Sequence, residues 1–197
     1  MEITAAMVKE LRSQSGAGIM ECKSALKETK GDIEEAITFL RKKGLAKADK
    51  KSDRQTGEGI IGSYIHQGGK IGVMLELNCE TDFVANTPDF QELVKDIAMH
   101  IAAAKPRFAN REEVTEDILE KEREIFAHQA KESGKPENII DKIVTGKMEK
   151  FYEENCVLEQ AFIKDTNITI GELIKQKIAL LGENINIGRF SRFEING

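Results

Sequence analysis

The chain has 197 residues, of which 40% are hydrophobic and 32% charged, with three prolines and no tryptophan. This composition is typical of a helix-rich globular protein and excludes a disordered or fibrous one. The net charge is −5, yet residues 41–54, RKKGLAKADKKSDR, are strongly basic. The remainder is therefore acidic overall, which argues against a long phosphate-binding surface. We expect no direct nucleic-acid partner and interpret the basic run as a solvated linker.

The sequence shows neither a membrane span nor a secretory signal, and its cysteine usage fits a reducing compartment. No stretch approaches the roughly 18 apolar residues of a membrane span, and the N-terminus lacks the apolar segment of a secretory signal. We therefore expect a cytoplasmic protein with no membrane partner. Cys22, Cys79 and Cys156 are odd in number and lack C-x-x-C spacing, which favours buried reduced thiols over disulfides or a thiolate metal site.

Three short helices are predicted within residues 1–43. Thr4 caps the first, which ends at SGAG, and GD at 31–32 separates the second from the third. In the second helix Ile19, Cys22 and Leu26 share one apolar stripe, whereas Met20 falls outside it and is expected to face solvent. The third helix is expected to end before KKG at 42–44, which gives a small module over 1–45 and a basic linker over 46–58.

A β-hairpin is predicted next. GIIGSYIHQ and KIGVMLELNCE flank a two-glycine turn at 68–69, and the apolar side chains of the second strand fall on odd positions, so one face is buried. Thr87 and Pro88 then begin a helix that is expected to reach about Ala104.

The connection between that hairpin and that helix is unusual. CETDFVAN at 79–86 should be a polar turn, yet it carries Phe83 and Val84 beside Asp82. The pattern alone is equally consistent with a Phe83 folded back into the core and with a Phe83 exposed as a contact. The strand before it and the helix after it are expected to hold the segment stiffly.

Two highly charged helices are predicted over residues 112–151, with Gly134 ending the first and Pro136 beginning the second. Their apolar residues suit a narrow seam between antiparallel helices: Val114, Ile118, Ile125, Ile140, Val144, Met148 and Phe151. We expect a projecting helical hairpin. Residues 59–111 and 152–197, with a helix over 169–181 and a closing strand NINIGRFSRFEI, form the core domain. The predicted class is α+β, an antiparallel sheet with packed helices.

Motifs for catalysis are missing from the sequence. GEGIIG at 57–62 matches G-x-G-x-x-G but leads into a strand instead of a helix, and no P-loop occurs. His66, His100 and His128 lie on different predicted elements without ligand spacing. We therefore predict no catalytic residue, no metal site and no cofactor, and interpret the chain as a protein that contacts another protein at several points.

These motifs together resemble the translation elongation factor Ts family nearly end to end. The stretches that carry the resemblance are VKELRSQSGAGIMECKSAL, GDIEEAITFLRKKG, LNCETDFVAN, AMHIAAAKP, SGKPENIIDKIVTGKMEKF and RFEI. The resemblance implies that the chain is not an enzyme but a guanine-nucleotide exchange factor for elongation factor Tu, active in translation elongation. It also implies that residues 1–45 are a ubiquitin-associated-like module.

The resemblance further implies which residues contact elongation factor Tu. The T-D-F-V segment is expected near the magnesium and phosphate site, with Phe83 as an inserted wedge and Asp82 either capping the turn or meeting a partner donor. The apolar pair at the start of the second helix is expected on the same partner domain, and the histidine before the glycine turn on another. The implied residues are Thr81, Asp82, Phe83, Val84, Ile19, Met20 and His66.

One departure from the family bears on assembly. Many members have a duplicated core, whereas here the T-D-F-V, histidine-turn and AMHIAA signatures occur once, within about 45 residues. This implies a homodimer that supplies the second core half, in which Phe83 and His66 acting on one partner molecule come from different subunits.

The alternative to the exchange-factor function is a ubiquitin-binding adaptor without exchange activity.

Overall fold

The structure is a computed structural model that describes residues 3–134 and 136–196. Its elements, in chain order, are α1 (Ala5–Ser15), α2 (Ile19–Glu28), α3 (Ile33–Asp49), β1 (Glu58–Ile65), β2 (Ile71–Cys79), α4 (Asp82–Ala85), α5 (Pro88–Ala104), α6 (Glu116–Glu132), α7 (Glu137–Asn155), β3 (Ala161–Phe162), β4 (Asp165–Thr169), α8 (Ile170–Leu181) and β5 (Ile185–Glu194). One sheet has the order β1-β2-β5, and β3 pairs with β4 in a second, antiparallel sheet. The α+β class is confirmed.

The chain divides into two compact units. The first unit contains the residues up to 60, 78–93 and 174–186, and the second unit contains 61–77, 94–173 and those from 187 onward. The module, linker, core and arm boundaries expected from the sequence stay a prediction.

Helices α1 to α3 form a small core in the first unit. Their buried residues are Leu11, Cys22, Ala25, Leu26 and Ala36. The caps are as predicted: the Thr4 side chain accepts the N–H of Met7, and the Asp32 carboxylate accepts that of Glu35 at 2.8 Å. Gly16 ends α1 at φ 66°, a left-handed conformation that glycine adopts without strain.

Two expectations for this helical region are wrong. Helix α3 does not end before Lys42 but continues to Asp49, into the predicted linker. The continuation packs closely, since a Cβ on Gly44 would lie 3.3 Å from the Cβ of Ala179, and Ala48 is buried. Ile19, expected in the apolar stripe with Cys22 and Leu26, is instead 57% exposed, because its side chain does not pack against this core.

The hairpin and the long helix that follows it agree with the sequence pattern. In β2 the side chains of Val73, Leu75, Leu77 and Cys79 are buried. Gly68 and Gly69 in the turn have φ values of 93° and 69°, which only glycine tolerates readily. Helix α5 ends at Ala104 as expected and buries Phe90, Leu93, Val94, Ile97 and Ile101.

Helices α6 and α7 of the second unit pack as a hairpin around a core of Val114, Leu119, Met148, Phe151 and Cys156. Gly134 at φ 66° and Pro136 flank the break, and Lys135 between them lies outside the described residues. The expected place of Ile125 in this seam is wrong, because its side chain is 48% exposed. Leu119, Phe126 and Ala130, spaced seven and four apart, face inward instead.

All three cysteines are free and buried, as predicted. Within residues 3–134 and 136–196, no helix is both long and apolar enough to cross a membrane.

Candidate functional site

The CETDFVAN segment contains a one-turn helix, α4, instead of an open polar turn. Thr81 precedes it with extended backbone, and its hydroxyl accepts the N–H of Val84 at 3.4 Å. Asn86 closes the other end by donating its side-chain N–H to the Asp82 carbonyl at 2.8 Å. Of the two roles expected for Asp82, capping the turn is wrong, because Asp82 is already helical and Thr81 occupies the N-cap position; contact with a partner donor stays a prediction.

Phe83 points away from the protein and is 82% exposed. Its neighbours Val84 and Ala85 are 9% and 3% exposed, so the turn is anchored by the two residues that follow the ring. The alternative in which Phe83 folds back into the core is thereby excluded. An aromatic ring held in water by a buried turn is typical of a contact surface, because burying it against a partner stabilises the complex by about 1.5–3 kcal/mol.

Both ends of α4 are held by other parts of the first unit. The Glu183 carboxylate accepts the Thr81 N–H at 3.0 Å and the Thr81 hydroxyl at 2.6 Å. At the other end, Thr87 donates its hydroxyl to the Val84 carbonyl at 2.8 Å and accepts the N–H of Phe90 at 3.3 Å. Sequence reasoning missed Glu183, which lies 102 residues beyond Thr81 and belongs to no recognisable motif.

The turn between α8 and β5 that contains Glu183, residues 182–184, is itself held in place. The Asn184 N–H donates to the Glu80 carboxylate at 2.7 Å. The Asn184 side-chain amide donates to the carbonyls of Ser52 and Arg54, at 3.0 and 2.8 Å, and Lys51 donates to the Gly182 carbonyl. This 182–184 turn therefore joins the strand end before α4 to the chain that follows α3.

Ile19 and Met20 begin α2 and are 57% and 75% exposed. Ile19 lines a groove of about 600 Å³ in the first unit. The other residues of the groove are apolar at Ile3, Ala5 and Val8 and basic at Lys9, Arg12 and Lys23. Sequence reasoning found the apolar pair but missed the basic residues, although Lys9 and Arg12 lie three apart and so share one face of α1.

His66 belongs to the second unit, whereas the other six predicted contact residues belong to the first. It is exposed at the end of β1, and its Nδ1 lies 3.1 Å from the Tyr64 hydroxyl. The structure gives it a defined orientation in the second unit.

The other chemistry-bearing side chains support the structure. His100 is fully buried, its Nε2 lies 2.9 Å from the Gln160 side-chain oxygen, and burial lowers its pKa. Across the described ranges, no group of three or more His, Cys, Asp and Glu residues could hold a metal ion. The site is thus an exposed apolar surface suited to a protein partner.

A sequence model of the family described as Elongation factor TS matches residues 1–197. The chain belongs to the elongation factor Ts family. It is 60% identical over 194 residues to the Elongation factor Ts of Solibacter usitatus, an alignment that covers 98% of this chain and 92% of that protein. It is 61% identical over 195 residues to that of Fervidobacterium nodosum, covering 99% of each, and 58% identical over 195 residues to that of Geobacter metallireducens, covering 99% and 90%.

The resemblance seen in the sequence motifs is therefore confirmed along the whole chain. As a member of this family, the chain is a factor of protein biosynthesis that acts in nucleotide exchange during elongation.

Proposed function

We propose that this chain binds elongation factor Tu carrying GDP and that Phe83 enters the partner near its magnesium and phosphate site. The observation that carries the proposal is the 82% exposure of Phe83 on a turn whose next two residues are buried. A phenyl ring has two side-chain torsions, so its ordering on insertion costs little entropy. GDP is released so that GTP can bind, and no covalent bond is made or broken.

The mechanism is a negative coupling between two ligands of one GTPase. The exchange factor and the nucleotide each favour a different conformation of elongation factor Tu. Binding of the exchange factor therefore weakens the affinity for nucleotide, and bound nucleotide weakens the affinity for the exchange factor to the same extent. GTP then expels the factor by the same linkage. Thr81 and Val84 contribute by holding Phe83, since Val84 itself offers little exposed surface.

Ile19 and Met20 are proposed as a second contact with the same partner domain. Both side chains are exposed, and Ile19 lines the groove that also contains apolar residues and the bases Lys9, Arg12 and Lys23. The complementary partner surface therefore combines an apolar residue with acidic ones. His66, exposed at the end of β1, is proposed to contact another domain of the partner.

The test is GDP release from elongation factor Tu loaded with a fluorescent GDP. The wild type is expected to accelerate release, and Phe83→Ala to accelerate it about 30-fold less, the effect of losing an interface anchor worth about 2 kcal/mol. Ile125→Ala, which removes an exposed apolar side chain from α6, is the matched control and should behave as wild type. No acceleration by the wild type would overturn the function, and equal acceleration by Phe83→Ala would overturn the wedge.

Retention on immobilised ubiquitin but not on elongation factor Tu would favour the adaptor alternative.

We also propose that the chain forms a homodimer. The support is an exposed apolar face of the second unit, opposite the buried side of the sheet, that consists of Ile61, Ile65, Met74, Phe193 and Ile195. Because the chain carries one copy of the core signatures, a second copy of the chain is the occupant we propose for this face.

Light scattering tests the dimer. The wild type is expected to have twice the mass of the chain, and Ile65→Glu to be monomeric with unchanged helix content. Ile125→Glu, on an exposed position of α6, should remain dimeric. A monomeric wild type would contradict the proposal.

A further inference from the structure

We propose that Glu183 is a positioning residue for Phe83, a role that rests on the proposed function. Glu183 is close to no partner-contact residue in sequence, yet its two carboxylate oxygens accept both hydrogen-bond donors of Thr81, the N-cap of α4. Through Thr81, Glu183 sets the direction in which α4 presents the Phe83 ring.

Glu183 fixes the direction in which the Thr81 hydroxyl donates its hydrogen bond. A threonine hydroxyl has one proton to donate. The short 2.6 Å distance to Glu183 places that proton on the bond to the carboxylate, so an oxygen lone pair faces the N–H of Val84 at 3.4 Å. The carboxylate therefore orients the hydroxyl for capping, and the cap does not compete with the carboxylate for the same proton.

The shortness of α4 makes this support necessary. The helix has four residues, and a single helical turn is unfavourable on its own because it fixes several backbone dihedrals for one hydrogen bond. Phe83 is largely surrounded by solvent and so cannot hold the turn in place by packing. The direction of the ring therefore depends on the anchors of the backbone around it.

Glu183 provides a fixed reference because its own backbone is held on both sides. Gly182 accepts from Lys51, and Asn184 bonds to Glu80, Ser52 and Arg54. These bonds tie the 182–184 turn to the chain after α3 and to the strand end before Thr81. Movement of α4 relative to the rest of the first unit thus requires the Glu183 carboxylate to release Thr81.

The substitution Glu183→Gln tests this arrangement with almost no change in volume. An amide has one acceptor oxygen, whereas Thr81 presents two donors to residue 183, so one of them must face an NH₂ group. We expect the maximal rate of GDP release at saturating factor to fall about tenfold, since misplacing a reacting or inserting group by a fraction of an ångström has effects of this order. The half-saturating concentration should change less, because the surface around Ile19 and Met20 is intact.

Two comparisons separate positioning from a general loss of stability. In a Phe83→Ala background, Glu183→Gln should cause no further fall in the maximal rate, because the ring it orients is absent. Glu92→Gln, a matched change at an exposed position of α5, should leave the rate unchanged. A rate for Glu183→Gln equal to wild type, or an equal fall with and without Phe83, overturns the proposal.

A partner-free measurement keeps this result distinct from failure of the proposed function. Amide hydrogen exchange of Val84 in the isolated protein should accelerate about tenfold in Glu183→Gln, while that of Leu26 in α2 stays at the wild-type value. Unchanged Val84 exchange overturns the positioning role whatever the exchange assay shows. Failure of the proposed function is seen separately. It is shown when the wild type does not accelerate GDP release from elongation factor Tu, or when Phe83→Ala alone accelerates release as much as the wild type.

Discussion

Gly62 in β1 lies directly against Val94 on α5: a Cβ placed on Gly62 would come 2.1 Å from the Cγ1 of Val94. No pair of side-chain carbons approaches so closely without one of them moving. Val94 is buried, so it has little room to shift. The strand and the helix of the second unit can therefore meet here only because residue 62 has no side chain.

We expect Gly62→Ala to lower the free energy of unfolding by about 2 kcal/mol, the usual cost of overpacking a filled core. Val94→Ala removes the clashing methyl, so the double variant should be more stable than Gly62→Ala alone. Urea denaturation measures both. Gly57→Ala is the control, because a Cβ there meets nothing within 4 Å. If Gly62→Ala denatured at the wild-type urea concentration, the close approach would be disproved.

Arg111 should stabilise the base of the α6–α7 hairpin. Its guanidinium pairs with Glu159 at 2.6 Å and Glu149 at 2.8 Å and lies 4.4 Å from the Tyr152 ring centroid. The hydrogen bond from Arg111 lowers the pKa of Glu159. Arg111→Lys loses the two-pronged pairing and the stacking. Since the side chain is partly exposed, we expect a loss of about 1 kcal/mol in the free energy of unfolding.

Arg123→Lys is the control for Arg111, because the Arg123–Glu116 pair at 3.1 Å is exposed on both sides. Its effect should stay below about 0.5 kcal/mol, as for most exposed ion pairs. Equal urea midpoints for the Arg111 and Arg123 variants would show that the network at Arg111 adds no stability.

His100 should make stability depend on pH. Burial lowers its pKa below the ordinary 6.5 of histidine, so the folded state resists protonation. Its contribution is complete above pH 6.5 and is lost as the pH falls from 6.5 through the folded-state pKa, because the unfolded chain binds the proton more strongly.

Thermal denaturation between pH 7 and pH 5 checks this dependence. His100→Gln should flatten the dependence in that window, because it removes the buried imidazole. A wild-type melting temperature that is constant over the window would contradict the buried neutral state of His100.

The three thiols should be unreactive in the folded protein. Cys22, Cys79 and Cys156 are fully buried, and burial raises the pKa of Cys156 to about 11 and also raises that of Cys79. Because the thiolate is the reactive form, a disulfide reagent at pH 8 should react only slowly with the folded protein in buffer. In urea, where the chain is unfolded, the same reagent should react with all three thiols. Rapid reaction of any thiol in buffer would show that the cysteine is accessible.

Local rules were reliable where the cause is local. The caps at Thr4, Asp32 and Thr87 were predicted because a cap is a hydrogen bond to an N–H two or three residues away. The buried face of β2 followed from alternation, since adjacent side chains in a strand point to opposite sides. The predicted end of α3 was wrong because the helix continues past Gly44, where it packs against Ala179, a residue far along the chain.

By itself, the sequence determined most of the long helices and strands, the family and the position of an aromatic residue between a strand and a helix. Only the tertiary structure decided that Phe83 is exposed, that Ile19 is outside the core and that Thr81, not Asp82, caps α4. The physical reason is that the exposure of Phe83 depends on the burial of Val84 and Ala85, and the position of the cap on the bond from Thr81 to Glu183. A hydrogen bond between residues 102 positions apart leaves no periodic signal in the sequence.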